Sequence, residues 1–185
     1  MSALADVTLA CWVLLELTVR VREAVQGKGG RERDRGTRVL IAITLGAAIG
    51  VAGAAASVAP SLRMPGAART FGVIVMWLGL ATRVWAIAAL GAAFRTTVEV
   101  DPGQHVVSSG PYKWIRHPSY TGLLLITTGF GLAVGNWLAV AAGLLLPLPG
   151  ILWRIRVEEA ELERVLGDAY RTYQRKTTRL IPWRW

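Results

Sequence analysis

The chain is poor in the residues that build metal, redox and nucleophilic centres. Its 185 residues include one cysteine and two histidines, and only 18% of them are charged. The lone Cys11 excludes an internal disulfide and a cysteine-ligated metal site. Because His105 and His117 have no cluster of carboxylates beside them, we expect no metal centre. No glycine-rich loop follows a strand pattern, so we also expect no Rossmann domain.

What the chain has in abundance is apolar surface. Hydrophobic residues make up 53% of it, with a mean hydropathy of +0.41, which is too apolar for an ordinary soluble domain. The net charge of +9 would suit a nucleic-acid partner. However, the basic residues cluster between apolar runs, a pattern typical of cytoplasmic loops. We therefore expect a membrane lipid environment and no nucleic-acid partner.

Five apolar runs are long enough, or nearly so, to cross a bilayer core of about 30 Å as helices. They cover residues 4–19, 39–59, 70–94, 119–134 and 137–153. The sequence thus predicts a single all-α integral membrane domain over residues 1–185. Residues 1–94 would supply three transmembrane helices. Residues 95–185 would supply a polar loop, a transmembrane helical hairpin and a C-terminal amphipathic helix.

Local signals refine this plan. Gly135-Asn136 predicts a tight hairpin, and Pro147 and Pro149 should kink or break the fifth helix. Small residues spaced by four, at Gly46 and Gly50 and at Gly131 and Gly135, indicate close helix packing. After residue 153 an apolar stripe opposite a charged face predicts an amphipathic helix along the interface, with a break at Gly167.

Charge sets the expected orientation of the chain. The loop 20–38, the segment 95–116 and the tail after residue 153 are basic, whereas the hairpin at residues 135–136 carries no charge. By the positive-inside rule, the amino terminus lies outside. The basic segments and the carboxyl terminus then lie on the cytoplasmic side of an inner membrane, in a multi-pass protein.

The segment 110–120 combines irregular backbone with titratable and aromatic side chains. Pro118 predicts the first position of a helix, whose amino-terminal N–H groups and positive dipole end attract a carboxylate or phosphate. Tyr112, Trp114 and Tyr120 offer flat faces to an adenine or a cation. The same residues are equally typical of an interfacial aromatic belt with His117 as a capping residue.

Two pairs of opposite charges lie near the ends of apolar runs. Arg154 and Glu158 are spaced i, i+4 and form either a local ion pair or a pair of ligand contacts. Arg83 interrupts the third apolar run, where a charge is costly and usually pairs or faces a cavity. Glu16 is its candidate partner, and a role facing a substrate is the alternative.

These motifs together resemble the isoprenylcysteine carboxyl methyltransferase family, which is related to phospholipid N-methyltransferases. The resemblance rests on Gly110-Pro111-Tyr112, on Arg116-His117-Pro118-Ser119-Tyr120, on the spaced Arg154 and Glu158, and on Gly167-Asp168-Ala169-Tyr170. It implies S-adenosylmethionine as the methyl donor, bound at the cytoplasmic side without a Rossmann domain. The implied cofactor-binding residues are Gln104, His105, Val106, Val107, Tyr112, His117, Pro118, Ser119, Tyr120 and Glu158.

The resemblance also implies a substrate-contacting role for Arg154, which would position an acceptor carboxylate. A carboxylate acceptor needs no general base, so we expect carboxyl O-methylation of an isoprenylcysteine-like or other lipidic acceptor. N- or S-methylation of a phospholipid amine, or of a small apolar amine or thiol, is the alternative within the same enzyme class. A non-catalytic membrane subunit or a channel is the alternative of another class.

Overall fold

The computed structural model describes residues 3–25, 36–91 and 105–182, and all regular elements in these ranges are helical. The α-helices are α1 (Ala3–Val25), α2 (Thr37–Val58), α3 (Ala67–Leu90), α4 (Pro118–Val134), α5 (Trp137–Leu145), α6 (Pro147–Leu166) and α7 (Asp168–Gln174). Two short 3₁₀ turns, Pro60–Leu62 and Gly110–Lys113, precede α3 and α4. The predicted all-α fold is confirmed, and the helix boundaries lie within a few residues of the apolar runs, except that α1 and α6 extend further.

Three helical stretches are long and apolar enough to cross a membrane by length and composition, fewer than the five runs in the sequence. They are α2, α3 and the consecutive helices α5 and α6, which together cover Trp137–Leu166. The fourth run folds as α4, a shorter apolar helix of 17 residues. The first run folds as α1, whose apolar surface is interrupted by charges at Asp6, Glu16 and Arg20.

The predicted break at the prolines is confirmed, but the helix after it is longer than expected. α5 ends at Leu145 and α6 begins at Pro147, a position where the missing proline N–H leaves no helical partner unsatisfied. From there α6 runs without interruption to Leu166. The first part of the expected amphipathic helix is therefore an extension of α6, and a separate helix, α7, begins only after Gly167.

One end of the bundle is closed by the predicted hairpin between α4 and α5. Gly135 adopts a φ of 76°, the left-handed conformation that favours glycine. Asn136 caps α5 through its side-chain oxygen and donates its amide N–H groups to the carbonyls of Ala55 and Ala59 on α2. Ala5 of α1 packs into the same apolar cluster as Ala55. We call this the hairpin end, since it joins α1, α2, α4 and α5.

Helices α3 and α4 approach so closely that glycines are required along their interface. A Cβ at Gly79 would lie 2.8 Å from the carbonyl oxygen of Gly122, and one at Gly129 would lie 2.7 Å from the amide nitrogen of Met76. Contacts this short have no room for a methyl group. The pairing brings the far end of α3, with Arg83, directly beside the first turns of α4.

Only some of the small residues that were expected to pack against another helix do so. Gly131 packs against the backbone of α5 at Ala139, as predicted. A Cβ at Gly46 or Gly50 on α2, by contrast, would meet no atom of the described chain within 4 Å. The packing prediction for these two glycines is therefore wrong within the described residues. Spacing identifies a smooth helix face but not whether a partner covers it.

These glycines provide a matched pair of substitutions. We expect Gly79→Ala to lower the free energy of unfolding by about 1–3 kcal/mol, because the added methyl group overpacks the α3–α4 interface. Gly50→Ala should be neutral or stabilising by up to about 1 kcal/mol, through helix propensity alone. Thermal unfolding of the purified protein in one detergent measures both. Equal effects of the two substitutions would contradict the close packing of α3 on α4.

Candidate active site

At the end of the bundle opposite the hairpin, the segment 114–121 is held by the residues that follow α7. The backbone N–H of Arg116 donates to the carbonyl of Thr178 at 2.7 Å. The backbone N–H of His117 donates to the carbonyl of Arg179 at 3.0 Å. The hydroxyl of Thr121 donates to the carbonyl of Leu180 at 2.7 Å. We call residues 177–182 the C-terminal strap. It fixes the chain where α4 begins, so that Pro118 starts the helix in a defined position.

Glu159 of α6 is the side chain on which this arrangement converges. Its Oε1 accepts from Arg116 Nε at 2.8 Å and lies 3.3 Å from His117 Nε2, while its Oε2 accepts from Arg179 Nε at 3.0 Å. Because an ionised carboxylate only accepts, Nε2 of His117 is assigned the hydrogen. One buried carboxylate thereby joins α6, the residues before α4 and the C-terminal strap.

Sequence reasoning missed Glu159, since it was grouped with the charged outer face of the amphipathic helix. The sequence did contain a signal for Glu159, namely three basic residues that need a carboxylate partner. Arg116 and His117 precede an apolar helix, and Arg179 follows the last amphipathic stretch. Three basic groups that are drawn into a membrane-embedded fold require an anion nearby, and the adjacent Glu158 and Glu159 are the carboxylates at the end of the fifth apolar run.

Beside this junction lies a cavity of about 440 Å³. Its wall is formed by α1, α2, the cavity end of α3, the segment before α4, the first turns of α4, the second half of α6, and α7. The apolar lining residues come mainly from α1 and α2 and include Trp12, Val13, Leu17, Ile41, Leu45 and Ile49. The polar lining residues come mainly from the other elements and include Arg83, Tyr112, His117, Ser119, Tyr120, Arg154, Glu158, Tyr170 and Tyr173. The cavity is therefore mainly apolar along α1 and α2, which also contribute Glu16, Arg20 and Arg38, and mainly polar on the other side.

Consecutive residues of α4 each bind one of two buried arginines. The hydroxyl of Ser119 accepts from Arg83 Nη1 at 2.6 Å. The hydroxyl of Tyr120 accepts from Arg154 Nε at 3.1 Å and donates to Glu158 Oε2 at 2.9 Å. The first turn of α4 thus fixes the position of both guanidinium groups at the cavity wall.

Each arginine also has a partner on another helix. Arg83 forms a bidentate pair with Glu16 of α1, which confirms the candidate partner. Arg154 donates from Nη1 to the hydroxyl of Thr37 at 2.9 Å, at the start of α2, and its Nε lies 3.8 Å from Glu158 Oε2. Arg154 is only 2% exposed, whereas the side chain of Glu158 is 31% exposed. Both side chains line the cavity, and Glu158 is the more accessible of the two.

Most of the residues expected to form the site meet around this cavity. Those that line it are His105, Val106, Val107, Tyr112, His117, Ser119, Tyr120, Arg154 and Glu158. Pro118 is buried as the first residue of α4 and does not line it. Gln104 lies outside the described residues. Lining residues that were not expected include Tyr170 and Tyr173 of α7.

The tyrosines outside the helical spans keep their phenolic protons at neutral pH. Burial raises the pKa of Tyr173 to about 12. Burial, followed by the charge of Glu158, raises the pKa of Tyr112. Burial, followed by the charge of Glu159, raises the pKa of Tyr170. These three side chains therefore offer hydroxyl groups and aromatic faces, but no phenolate base. Among the described residues, no group of three or more His, Cys, Asp or Glu side chains is placed to hold a metal ion.

The fold and the sequence both match known proteins. A solved structure of the eukaryotic intramembrane Ras methyltransferase ICMT (isoprenylcysteine carboxyl methyltransferase) superposes with a TM-score of 0.66 at 28% identity, covering 77% of this chain and 52% of that one. Because that neighbour lies within a membrane and this chain has apolar helices of sufficient length, the chain is a multi-pass membrane protein.

Curated relatives match over shorter stretches. The protein-S-isoprenylcysteine O-methyltransferase of Schizosaccharomyces pombe is 34% identical over 112 residues, which is 50% of this chain and 45% of the relative. The methanethiol S-methyltransferase of Mycobacterium tuberculosis is 38% identical over 72 residues, which is 39% of this chain and 28% of the relative. The chain thus spans less than half the length of both relatives.

The family model for isoprenylcysteine carboxyl methyltransferases matches residues 72–164, a range that begins in α3 and ends near the end of α6. It includes the close α3–α4 pairing, the first turn of α4 and the residues Arg154, Glu158 and Glu159. On this match over half of its length, the chain belongs to the isoprenylcysteine carboxyl methyltransferase (ICMT) family.

Proposed function

We propose that the protein is an S-adenosylmethionine-dependent methyltransferase that forms a methyl ester on the carboxylate of a lipidic, isoprenylcysteine-like acceptor. The observation that carries the proposal is the two-sided cavity. One side presents Glu158, Tyr120 and the start of α4, and the other presents apolar residues of α1 and α2. A polar cofactor and a lipid tail both find a matching surface there, within one enclosure.

The residues on the charged side fit the functional groups of S-adenosylmethionine. Glu158, with its exposed carboxylate, suits the ammonium group, and the amino terminus of α4 suits the carboxylate. The aromatic faces of Tyr112 and Tyr120 suit the adenine or the sulfonium. The segment with Gln104, His105, Val106 and Val107 would complete this side. The cofactor supplies a methyl group activated by its sulfonium centre.

The apolar side fits a lipid tail that enters between two helices. α1 packs on α3 and α4, whereas α2 packs on α5, α6 and α4, so the two helices border the cavity from different sides. They come together at the hairpin end, where Ala5 and Ala52 share one apolar cluster. Towards the other end, Val13 and Leu17 of α1 and Ile41 and Leu45 of α2 all face the cavity. We infer that the acceptor tail lies between them.

Arg154 is the residue proposed to position the acceptor carboxylate. Its guanidinium group is fixed by Thr37 and Tyr120, which lie on two other helices, so that it is held in one orientation at the wall. Methyl transfer is an in-line displacement, and its rate depends on alignment and on the exclusion of water. A carboxylate oxygen attacks without losing a proton. This agrees with a site in which Tyr112, Tyr170 and Tyr173 stay protonated and offer no phenolate base.

Orientation follows from the placement of basic residues along the bundle. The cavity end carries Arg20, Arg38, Arg116 and Arg179, while the hairpin end carries Arg63 near Asn136 and Arg69 near Gly135. The excess of basic residues supports a cytoplasmic position for the cavity, the side on which S-adenosylmethionine is made. The amino terminus of α1, which packs at the hairpin end, would then lie outside.

A thiol acceptor is the second candidate, since a relative that covers part of this chain is named as a methanethiol S-methyltransferase. A thiol must lose its proton before or during attack, and an uncharged small acceptor needs no guanidinium partner. A carboxylate acceptor therefore needs the guanidinium group of Arg154, whereas a thiol acceptor does not.

Glu158→Gln tests the cofactor half of the proposal. Loss of the charge removes the partner of the cofactor ammonium group, and we expect affinity for S-adenosylmethionine to fall about 10–100-fold. Isothermal titration calorimetry of the detergent-purified protein measures this. Asp168→Asn, which removes an exposed carboxylate paired with Arg171, is the matched control and should bind as the wild type does. Absence of binding by the wild-type protein would refute the proposed function.

Arg154→Gln tests the acceptor half. With an N-acetylated S-isoprenyl cysteine as acceptor, kcat/KM should fall about 10–100-fold because a charge-assisted contact is lost, while affinity for the cofactor changes little. Arg154→Lys keeps the charge but not the planar fork and should recover only part of the activity. Transfer of labelled methyl groups into base-labile ester is the readout. If methanethiol is instead the better acceptor and its turnover survives Arg154→Gln, the thiol candidate is correct.

Glu159→Gln tests the junction that holds the site. The substitution leaves Arg116 and His117 buried without their anion, and we expect a loss of about 3–5 kcal/mol of stability. Glu163→Gln on the same helix is the matched control, because Glu163 binds the uncharged amide of Gln174. Thermal unfolding compares the two variants. If both unfold at the same temperature, Glu159 does not anchor the strap.

A further inference from the structure

Two of the four tyrosines at the cavity carry a hydroxyl group that has no hydrogen-bond partner in the described part of the chain. All four, Tyr112, Tyr120, Tyr170 and Tyr173, line the cavity. The hydroxyl of Tyr120 donates to Glu158 at 2.9 Å, and that of Tyr173 donates to the carbonyl of Tyr112 at 2.7 Å. The hydroxyls of Tyr112 and Tyr170 make no such bond, although these residues are only 5% and 3% exposed.

A buried hydroxyl without a partner is unfavourable, and a phenylalanine would fill the same volume without that cost. Among the residues that the structure describes, the only fully buried side-chain polar atom without a partner is Oγ1 of Thr128. The hydroxyls of Tyr112 and Tyr170 therefore keep some accessible surface, and the cavity is the space that both residues line. Both hydroxyl groups are thus available to a bound ligand.

The same two hydroxyl groups lie near the carboxylate of Glu158. The ring centroid of Tyr170 lies 5.9 Å from that of Tyr173, whose hydroxyl binds the backbone of Tyr112, so the three tyrosines form one part of the wall. After burial, the charge of Glu158 raises the pKa of Tyr112, and the charges of Glu159 and Glu158 raise the pKa of Tyr170. This part of the wall therefore presents one accessible carboxylate and two protonated hydroxyl groups.

We propose that the hydroxyl groups of Tyr170 and Tyr112 complete, with Glu158, a binding site for the ammonium group of S-adenosylmethionine. This inference rests on the proposed function, in which Glu158 faces that group. An ammonium group has three N–H donors, and the carboxylate and the two hydroxyl oxygens offer three acceptors. Because both phenols stay protonated at neutral pH, they add no charge, and one carboxylate balances one ammonium group.

Calorimetric titration of two ligands into the protein in lipid nanodiscs tests this site. The ligands are S-adenosylhomocysteine, which has the ammonium group, and its deaminated analogue, which lacks only that group. Tyr170→Phe and Tyr112→Phe should each lower the affinity for S-adenosylhomocysteine about tenfold, because a hydrogen bond to a charged group is lost. Neither should change the affinity for the deaminated analogue. Thr172→Val, which removes an exposed hydroxyl from the same helix as Tyr170, is the matched control and should bind both ligands as the wild type does.

Two further measurements separate a ligand contact from a structural bond. Tyr173→Phe removes a hydroxyl that has a protein partner and should lower the Tm of the ligand-free protein by about 2–4 °C. Tyr170→Phe should not lower it. The ammonium group keeps its charge throughout methyl transfer, so Tyr170→Phe should raise KM for S-adenosylmethionine about tenfold and leave kcat unchanged.

The outcomes distinguish this inference from the proposed function. A hydroxyl whose removal affects both ligands equally, or neither of them, does not bind the ammonium group. A Tm of Tyr170→Phe that falls as far as that of Tyr173→Phe would show that its hydroxyl is structural. A wild-type protein that binds neither S-adenosylmethionine nor S-adenosylhomocysteine contradicts the proposed function. A wild-type protein that binds both, with a Tyr170→Phe variant of equal affinity, contradicts only the role of Tyr170.

Discussion

The contacts of Glu159 are the constraint on which the site depends. A carboxylate buried at the end of a membrane helix is unfavourable unless it is paired and hydrogen-bonded. Glu159 meets this requirement with three basic side chains, Arg116, His117 and Arg179, that come from different parts of the chain. The two guanidinium groups need an anion for the same reason. One junction at Glu159 satisfies these groups together. It determines where α4 begins and where the C-terminal strap crosses the start of that helix.

From this junction the rest of the site follows by geometry. Since His117 is held, Pro118 starts α4 at a fixed position, and Ser119 and Tyr120 point to their arginines. The glycines of the α3–α4 interface have a part in this, because only a close approach of the two helices brings Arg83 to Ser119. A Cβ at Gly122 would lie 3.0 Å from the backbone nitrogen of Arg83. Packing in the apolar part of the bundle and charge pairing at its end are therefore parts of one arrangement.

The sequence predicted much of the fold, because apolar runs and turn residues act locally. The hairpin at Gly135-Asn136 and the helix break at Pro147 both depend on properties of single residues, and both are confirmed. The pairing of Arg83 with Glu16 was also predictable, since a charge within an apolar run has few partners. Most of the expected site residues were inferred from the family resemblance, and not from the spacing of residues along the chain.

What the sequence did not predict depends on contacts between distant residues. Glu158 and Glu159 are adjacent and chemically identical, yet one faces the cavity and the other is buried against three basic side chains. Only the rotation of α6 relative to α4 distinguishes them. The glycines give a second example. Gly50 and Gly79 both lie within apolar helices, but only Gly79 meets another backbone. Local patterns define helix faces, whereas the tertiary fold decides what each face contacts.

The arrangement of charges also fits the proposal that one small cavity accepts two unlike molecules. Two Glu–Arg pairs, Glu16 with Arg83 and Glu158 with Arg154, lie at its wall, and the arginine of each pair binds one of two successive residues of α4. Neutral pairs allow an apolar tail to lie close to them at little electrostatic cost. Under the proposed function, a charged group of the ligand would take the place of one partner of such a pair. The pairs that stabilise the charged wall would then also bind the ligand.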